Sequence, residues 1–277
     1  MEAPLRSEAR TADLRYLIKL FPMKTSSEAK KKVMVMVLAY NVERTIGKTF
    51  LAIPDELKPG VVVGDNRSTD NTRMVAESLG MRVVTHERNS NYGGNLKRLF
   101  RLALAEGCDV AVEIHGDFQY DPSLADVMVH YVARGYFDMI QGCRIRTRAE
   151  ALDGGMPLYR YLCNRILTFF QNMWFGTTFG EWHSGLRAYS RRLIEAAPLD
   201  SFNDTHAFAS DILMFAVANG YRVGEVPCPA RYDDESSSVP LPKLFDYTFK
   251  TALSALKYPP GTRKKLKPML KDLGAVS

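Results

Sequence analysis

The sequence has little cysteine, and nowhere do its cysteines cluster. Cys108, Cys143, Cys163 and Cys228 are widely spaced and form no CxxC pair. That pattern indicates neither a zinc ribbon nor a disulfide scaffold and predicts reduced, mostly buried thiols. Long apolar runs are missing as well. No stretch approaches the roughly 18 uncharged apolar residues of a membrane span. The nearest, Leu158 to Phe175, is interrupted by Arg160 and Arg165. The opening MEAPLRSEARTADLR lacks the apolar core of a signal peptide. A cytoplasmic protein is therefore expected. Internal repeats are absent, and Ser236-Ser-Ser238 is the only low-complexity run. Neither sign of charge dominates, with 37 basic and 31 acidic residues and a net charge of +6. The excess collects at the ends, in Lys30 to Lys32 and in Arg263, Lys264, Lys265, Lys267 and Lys271. Such ends are either solvated tails or a peripheral contact with the anionic inner face of a membrane. No nucleic acid is expected as a partner, because the basic residues join no aromatic stacking platform.

What is present is an ordinary soluble composition, with 277 residues, 46% of them hydrophobic and 25% charged. That length suits one α/β domain with appendages. Residues 1–31 read as an N-terminal extension with a short helix over Leu14 to Phe21, residues 32–238 as the main α/β domain, and residues 239–277 as a C-terminal helix and basic tail. Val33-Met-Val-Met-Val-Leu-Ala-Tyr40 is a continuous apolar run, as expected of a strand buried on both faces. Further strands are predicted at Val61–Asp65, Arg82–Thr85, Val110–Ile114, Met139–Gln141 and Val223–Pro227. Helices are predicted at Thr45–Ala52, Asn71–Leu79, Asn95–Ala105, Pro122–Ala133, Pro157–Trp174, Phe208–Asn219 and Pro242–Lys257. Glu181 to Tyr189 reads as an extended polar segment, and Arg231 to Ser238 as a loop. The alternation of strands and helices predicts a doubly wound, mostly parallel α/β sheet with flanking helices. Ligands bind such sheets beyond the carboxyl ends of the strands. Three polar clusters follow strands here: Tyr40 to Glu43, Gly64 to Asp70, and His115 to Asp121. All three should share one sheet edge.

The chemistry of these clusters leaves alternatives. Asp65, at a strand end before a helix, either accepts hydrogen bonds from a base or ribose or only caps a turn. His115, Asp117 and Gln119 sit two apart, so their side chains point the same way in an extended segment. They would hold Mn²⁺ or Mg²⁺ against a diphosphate, or form a plain helix-entry loop ahead of Asp121-Pro122. Asn91-Tyr-Gly-Gly-Asn95 reads mainly as a turn, with a phosphate cradle as the weaker reading. Glu181-Trp-His-Ser-Gly-Leu-Arg187 gathers an acid, an imidazole, an indole and a guanidinium. It suggests an acceptor pocket with Glu181 as general base and Arg187 as phosphate ligand, or an ordinary edge strand. Arg144, Arg146 and Arg148 alternate along what should be one face.

Six segments together resemble the family 2 glycosyltransferases of the GT-A fold, in particular the dolichol-phosphate or polyprenyl-phosphate mannosyltransferase-like branch. They are Ala39-Tyr-Asn-Val-Glu43, Val63-Gly-Asp-Asn-Arg-Ser-Thr-Asp70, Asp117-Phe-Gln-Tyr-Asp-Pro122, Gln141-Gly-Cys-Arg144, His183-Ser-Gly-Leu-Arg-Ala-Tyr189 and Gly220-Tyr-Arg-Val-Gly-Glu-Val-Pro227. The resemblance implies an inverting transfer from a GDP- or UDP-sugar to an acceptor, with a polyprenyl phosphate expected. It implies that Ala39, Tyr40, Glu43, Asp65, Arg67 and Gly116 line the nucleotide pocket. Asp117 and Gln119 would bind the metal, with or without His115, which stands where the family usually has the first Asp of Asp-x-Asp. Arg144, His183, Arg187 and Arg231 would meet donor or acceptor phosphates, and residues 231–238 would close over the donor. A hydroxyl acceptor would instead need a base, from Glu181 or Asp211. A third reading, motivated by His115, is a nucleotide-sugar-binding protein without turnover. A homo-oligomer is left open.

Overall fold

The computed structural model describes residues 31–229, 231–232 and 241–261, with side chains in the last segment from Asp246 onward. The expected Leu14–Phe21 helix, most of the 231–238 loop and the basic tail beyond Gly261 lie outside the described residues. Seven strands form one sheet: β1 (Val33–Ala39), β2 (Val61–Asp65), β3 (Arg82–Thr85), β4 (Val110–His115), β5 (Met139–Cys143), β6 (Arg187–Ser190) and β7 (Val223–Pro227), in the order β3-β2-β1-β4-β6-β5-β7. Every neighbouring pair is parallel except those made by β6, which runs antiparallel to both β4 and β5.

Alternation along β1 builds two cores. Met34 and Met36 face one layer, packed on α3 (Asn91–Ala105), α7 (Arg191–Ala196) and α8 (Phe208–Ala218). Val35 and Val37 face the other, packed against α1 (Ile46–Ala52), α2 (Thr72–Ser78) and α4 (Ala125–Ala133). Apolar side chains on both faces explain the unbroken hydrophobic run of β1. The expected doubly wound, mostly parallel sheet with flanking helices is the fold found.

The differences are local. Helix α3 begins at Asn91 rather than Asn95, so the Gly-Gly pair lies in its first turn. The reason is close approach. A Cβ on Gly93 would sit 2.5 Å from the Asn203 carbonyl oxygen, and the Gly93 amide donates to the Asp204 carbonyl at 2.7 Å. The arginine triplet is not one face. Thr147 caps α5 (Arg148–Asp153) by accepting from the Glu150 amide. Arg146 pairs outward with Glu150, whereas Arg144 turns inward. Of the extended segment 181–189, only its end becomes a strand, and that strand is inserted antiparallel. α6 (Leu158–Phe175) and α9 (Leu241–Leu256) complete the described elements. Among the described residues, no helix is long and apolar enough to cross a membrane.

Candidate active site

Strand register brings the predicted clusters together. Ala39 is level with Asp65, Leu38 with His115, and Asp65 with Thr85. The turns that leave β1, β2 and β4 each hold a non-glycine residue at positive φ: Asn41 at 53°, Arg67 at 64° and Phe118 at 55°. Such conformations persist only where surrounding bonds enforce them. Here those bonds join the turns to one another. Asn41 Oδ1 accepts from the Thr69 amide at 2.8 Å, and the Asn41 amide donates to Ser68 Oγ at 3.0 Å. Glu43 Oε2 accepts from the Asn71 amide at 2.9 Å, at the start of α2. Asp65 is buried, and its Oδ1 accepts from the Ser68 amide at 3.0 Å. The turn-capping reading of Asp65 therefore holds, at a position on the predicted edge. Tyr40 is half exposed beside Ala39, and the Arg67 guanidinium donates to the Glu87 carbonyl. The Gly116 carbonyl is drawn inward by the hydroxyls of Thr45 at 2.8 Å and Thr49 at 3.1 Å.

Asp117 is buried at 5% exposure, and its Oδ1 accepts from the Gln119 amide at 3.1 Å. Arg231 closes this turn from outside. Its amide donates to the Gln119 carbonyl at 2.9 Å, and its guanidinium lies 5.0 Å from the centre of the Phe118 ring. The His115 imidazole packs between Tyr92 and Tyr120, with Nε2 3.6 Å from Glu113 Oε1. Burial works to lower its pKa, but the Glu113 and Asp117 carboxylates outweigh that and raise it. Glu113 also accepts from the hydroxyls of Tyr92 and Tyr189. Burial and this carboxylate push both phenols well above their ordinary range, so they remain donors.

A hard carboxylate oxygen and an amide oxygen at one turn suit Mn²⁺ or Mg²⁺. Among the described residues no three His, Cys, Asp or Glu side chains cluster as ligands. An ion at Asp117 and Gln119 would thus complete its shell with water and substrate phosphates, as Mg²⁺ commonly does.

A cavity opens beside this turn. It is lined by His115, Gln119, Tyr120, Arg144, His183 and Tyr247, with Met156, Arg160 and Leu167 along one wall. Among its described lining residues there is no carboxylate. Glu181 lies behind the wall, fully buried and saturated. It accepts from the Arg144 amide and Nε, both at 3.0 Å, from Arg144 Nη2, and from Asn164 Nδ2 at 2.9 Å. Burial would raise its pKa, but the Arg144 charge and hydrogen bonds overcome this and hold it low. Arg144 in turn donates to the Tyr232 hydroxyl at 2.7 Å and the His183 carbonyl at 3.1 Å. His183 Nδ1 meets the Tyr247 hydroxyl at 2.6 Å, while its Nε2 has no partner, and burial lowers its pKa to about 4. A neutral imidazole thus faces the cavity.

Two other predicted residues do not line it. Arg187 is fully buried and donates to the carbonyls of Ala209 and Trp182, the latter at 3.1 Å. Asp211 accepts from the Asn203 amide at 2.7 Å and side chain at 2.8 Å. Both anchor loops around the cavity. The sequence reading missed Tyr92, Tyr247 and Asn164, which reach the site from three separate helices. Tyr120 was within a quoted motif; its hydroxyl accepts from the Gly185 amide at 2.9 Å.

Residues 34–196 match the family described as Glycosyl transferase family 2. The chain is a family 2 glycosyltransferase. It is 29% identical to protein MJ1222 of Methanocaldococcus jannaschii, over 76% of this chain and 85% of that protein. It is 24% identical to the UDP-N-acetylglucosamine–dolichyl-phosphate N-acetylglucosaminyltransferase of Methanococcus voltae, over 75% of this chain and 89% of that protein. The transferase also superposes on glucosyl-3-phosphoglycerate synthase from Mycobacterium tuberculosis, solved with Mn²⁺, UDP and glucosyl-3-phosphoglycerate, with a TM-score of 0.61 and 21% identity, covering 83% of this chain and 81% of that one. Its fold is thereby GT-A.

Proposed function

We propose that this glycosyltransferase moves a sugar from a UDP- or GDP-sugar to the phosphate of a polyprenyl phosphate, in one inverting displacement. The observation that carries this reading is the cavity wall. It offers arginines, a neutral imidazole and apolar side chains, while both candidate bases, Glu181 and Asp211, are engaged elsewhere. A hydroxyl acceptor needs a base to take its proton, whereas a phosphate is already an anion near neutral pH. The acceptor oxygen would bond to the anomeric carbon as the bond to the nucleoside diphosphate breaks on the opposite face. The dolichyl phosphate in the name of the Methanococcus voltae relative supports the same reading.

In this proposal Ala39, Tyr40, Glu43, Asp65, Arg67 and Gly116 surround the nucleotide. Asp117 and Gln119 hold Mn²⁺ or Mg²⁺, which neutralises charge on the departing diphosphate. His115 supports that turn from the Glu113 side. Arg144, fixed by Glu181, and the imidazole of His183 address the acceptor phosphate. Arg187 and Asp211 set the loops behind them, and Arg231 covers the metal turn. Catalysis would occur at the inner face of the membrane.

The test offers UDP- and GDP-sugars with Mn²⁺ to a polyprenyl phosphate and, separately, to phosphoglycerate and free sugars. Labelled product extracted into organic solvent is expected. Transfer to the water-soluble hydroxyl acceptors alone would overturn the reading in favour of a soluble transferase. Binding of a nucleotide sugar without any product would favour a protein without turnover.

A further inference from the structure

We infer that the outward faces of α6 and α9 form a docking surface for an anionic lipid layer. The inference deepens the acceptor reading and rests on it for the purpose of the surface. A solvated helix turns its charges outward, but α6 does the reverse. Every exposed position on it is apolar or aromatic: besides Tyr159, these are Leu158, Leu162, Ile166, Phe169, Phe170 and Met173, between 49% and 63% exposed. Its polar residues point the other way. Thr168 and Gln171 are buried, and Asn172 Oδ1 accepts from Trp182 Nε1 at 2.8 Å. On α9, Phe249, Leu253 and Leu256 are exposed by 64%, 48% and 64%. Phe170 and Trp174 of α6 share an apolar groove with Ala252, Ala255 and Leu256 of α9, so the two faces are joined.

Charge selects the occupant. Arg160 Nε donates to the hydroxyl of the exposed Tyr159 at 3.1 Å, at the start of the α6 stripe, and the exposed Lys257 follows α9. The chain beyond Gly261 then adds Arg263, Lys264, Lys265 and Lys267 within a few residues. An apolar face bordered by cations matches an anionic headgroup layer over acyl chains. A second copy docked through the same face would bring two basic segments together at a two-fold contact. Neither helix is apolar enough to cross the bilayer, so the surface lies on it. The inner side of α6 supplies Arg160, Asn164 and Leu167 to the cavity wall. The helix that would face the lipid layer thus also forms part of the cavity wall.

The test sediments the full chain with vesicles of phosphatidylcholine, with and without phosphatidylglycerol. Binding to the anionic vesicles, weakened by salt, is expected. The double variant I166E/F169E should bind roughly tenfold more weakly or worse, with its melting temperature and UDP-sugar affinity unchanged. Lys264→Glu with Lys265→Glu should weaken binding less. Failure of the wild-type chain to bind any vesicle overturns the inference, as does undiminished binding by I166E/F169E. So does a wild-type dimer in light scattering that becomes a monomer in I166E/F169E. Turnover on a short, water-soluble prenyl phosphate reads the acceptor assignment without a membrane. Vesicle binding without such turnover would sink the acceptor alone; turnover without vesicle binding would sink the surface alone.

Discussion

The two halves of the site are held by different forces. On the proposed nucleotide side, the turns after β1 and β2 are exposed and tied by short polar side chains to backbone amides, as in Asn41 to Thr69 and Glu43 to Asn71. On the proposed acceptor side, a buried ion pair between Arg144 and Glu181 carries the cavity wall, with Tyr232, Asn164 and the His183 carbonyl attached. Cap-like bonds are each worth about 1 kcal/mol and fail singly. A buried charge without its partner costs several kcal/mol, so the wall stands or falls as a unit. The first half suits a ligand recognised by its backbone-like polar groups. The second suits an anion that needs a fixed cation.

The sharpest way to break this contrast is to remove one member of the ion pair. Glu181→Gln should destabilise the fold by about 3–5 kcal/mol, read as a fall in the denaturation midpoint. A lowered carboxylate also has a pH signature. Glu181 binds fewer protons folded than unfolded, so its contribution is full above the unfolded value of 4.5 and is lost as pH falls through its depressed folded value. Near wild-type stability with a selective loss of kcat would instead restore it as a base. Asp117→Asn comes next and acts on chemistry alone. Turnover should fall about 10²–10³-fold with Mn²⁺ stimulation lost, while the melting temperature barely moves.

Gly93→Ala tests packing against ligand binding at the start of α3. The Cβ placed against Asn203 and Phe208 should cost about 1–3 kcal/mol, with KM for the nucleotide sugar unchanged. A raised KM at constant stability would revive the phosphate cradle. His183 gives a pH limb. It faces Tyr247 and lies in the fields of Glu181, Arg144 and Arg187, and burial holds it at about 4 against an ordinary 6.5. The unfolded chain takes up a proton across that window, so stability should drop by about 1 kcal/mol per pH unit on acidification. His183→Gln should flatten that limb in melting curves. The smallest effect is expected of Glu43→Gln, about 0.3–1 kcal/mol at the α2 N-terminus, visible in the denaturation midpoint.

The same contrast explains what could be read in advance. The strand-end clusters of β1, β2 and β4 are contiguous in sequence, and parallel register alone lines them up, so their convergence on one sheet edge was legible. The cavity wall was legible only in part. Arg144 and Glu181 were both singled out, yet their pairing spans 37 residues and closes a loop that contains both α5 and α6. Periodicity carries no record of such a contact. Tyr247 reaches His183 across 64 residues on a helix that otherwise looks like a surface element. The arginine alternation misled for the opposite reason: a local N-cap at Thr147 outcompeted extended pairing.

The reversed strand has a further consequence, for the order in which the chain can assemble. β4 and β5 are separated in the sheet by β6, which is made later than either. Strands β1 to β4 can pair as soon as residue 115 is available. β5 must wait, with no neighbour, until residues 187–190 have been synthesised. During that interval β5 is an unpaired apolar edge of the kind that recruits wrong partners. The edge formed by β1, β2 and β4 is therefore the early-folding part of the transferase. The cavity wall built on Arg144 and Glu181 is its late and vulnerable part during biosynthesis.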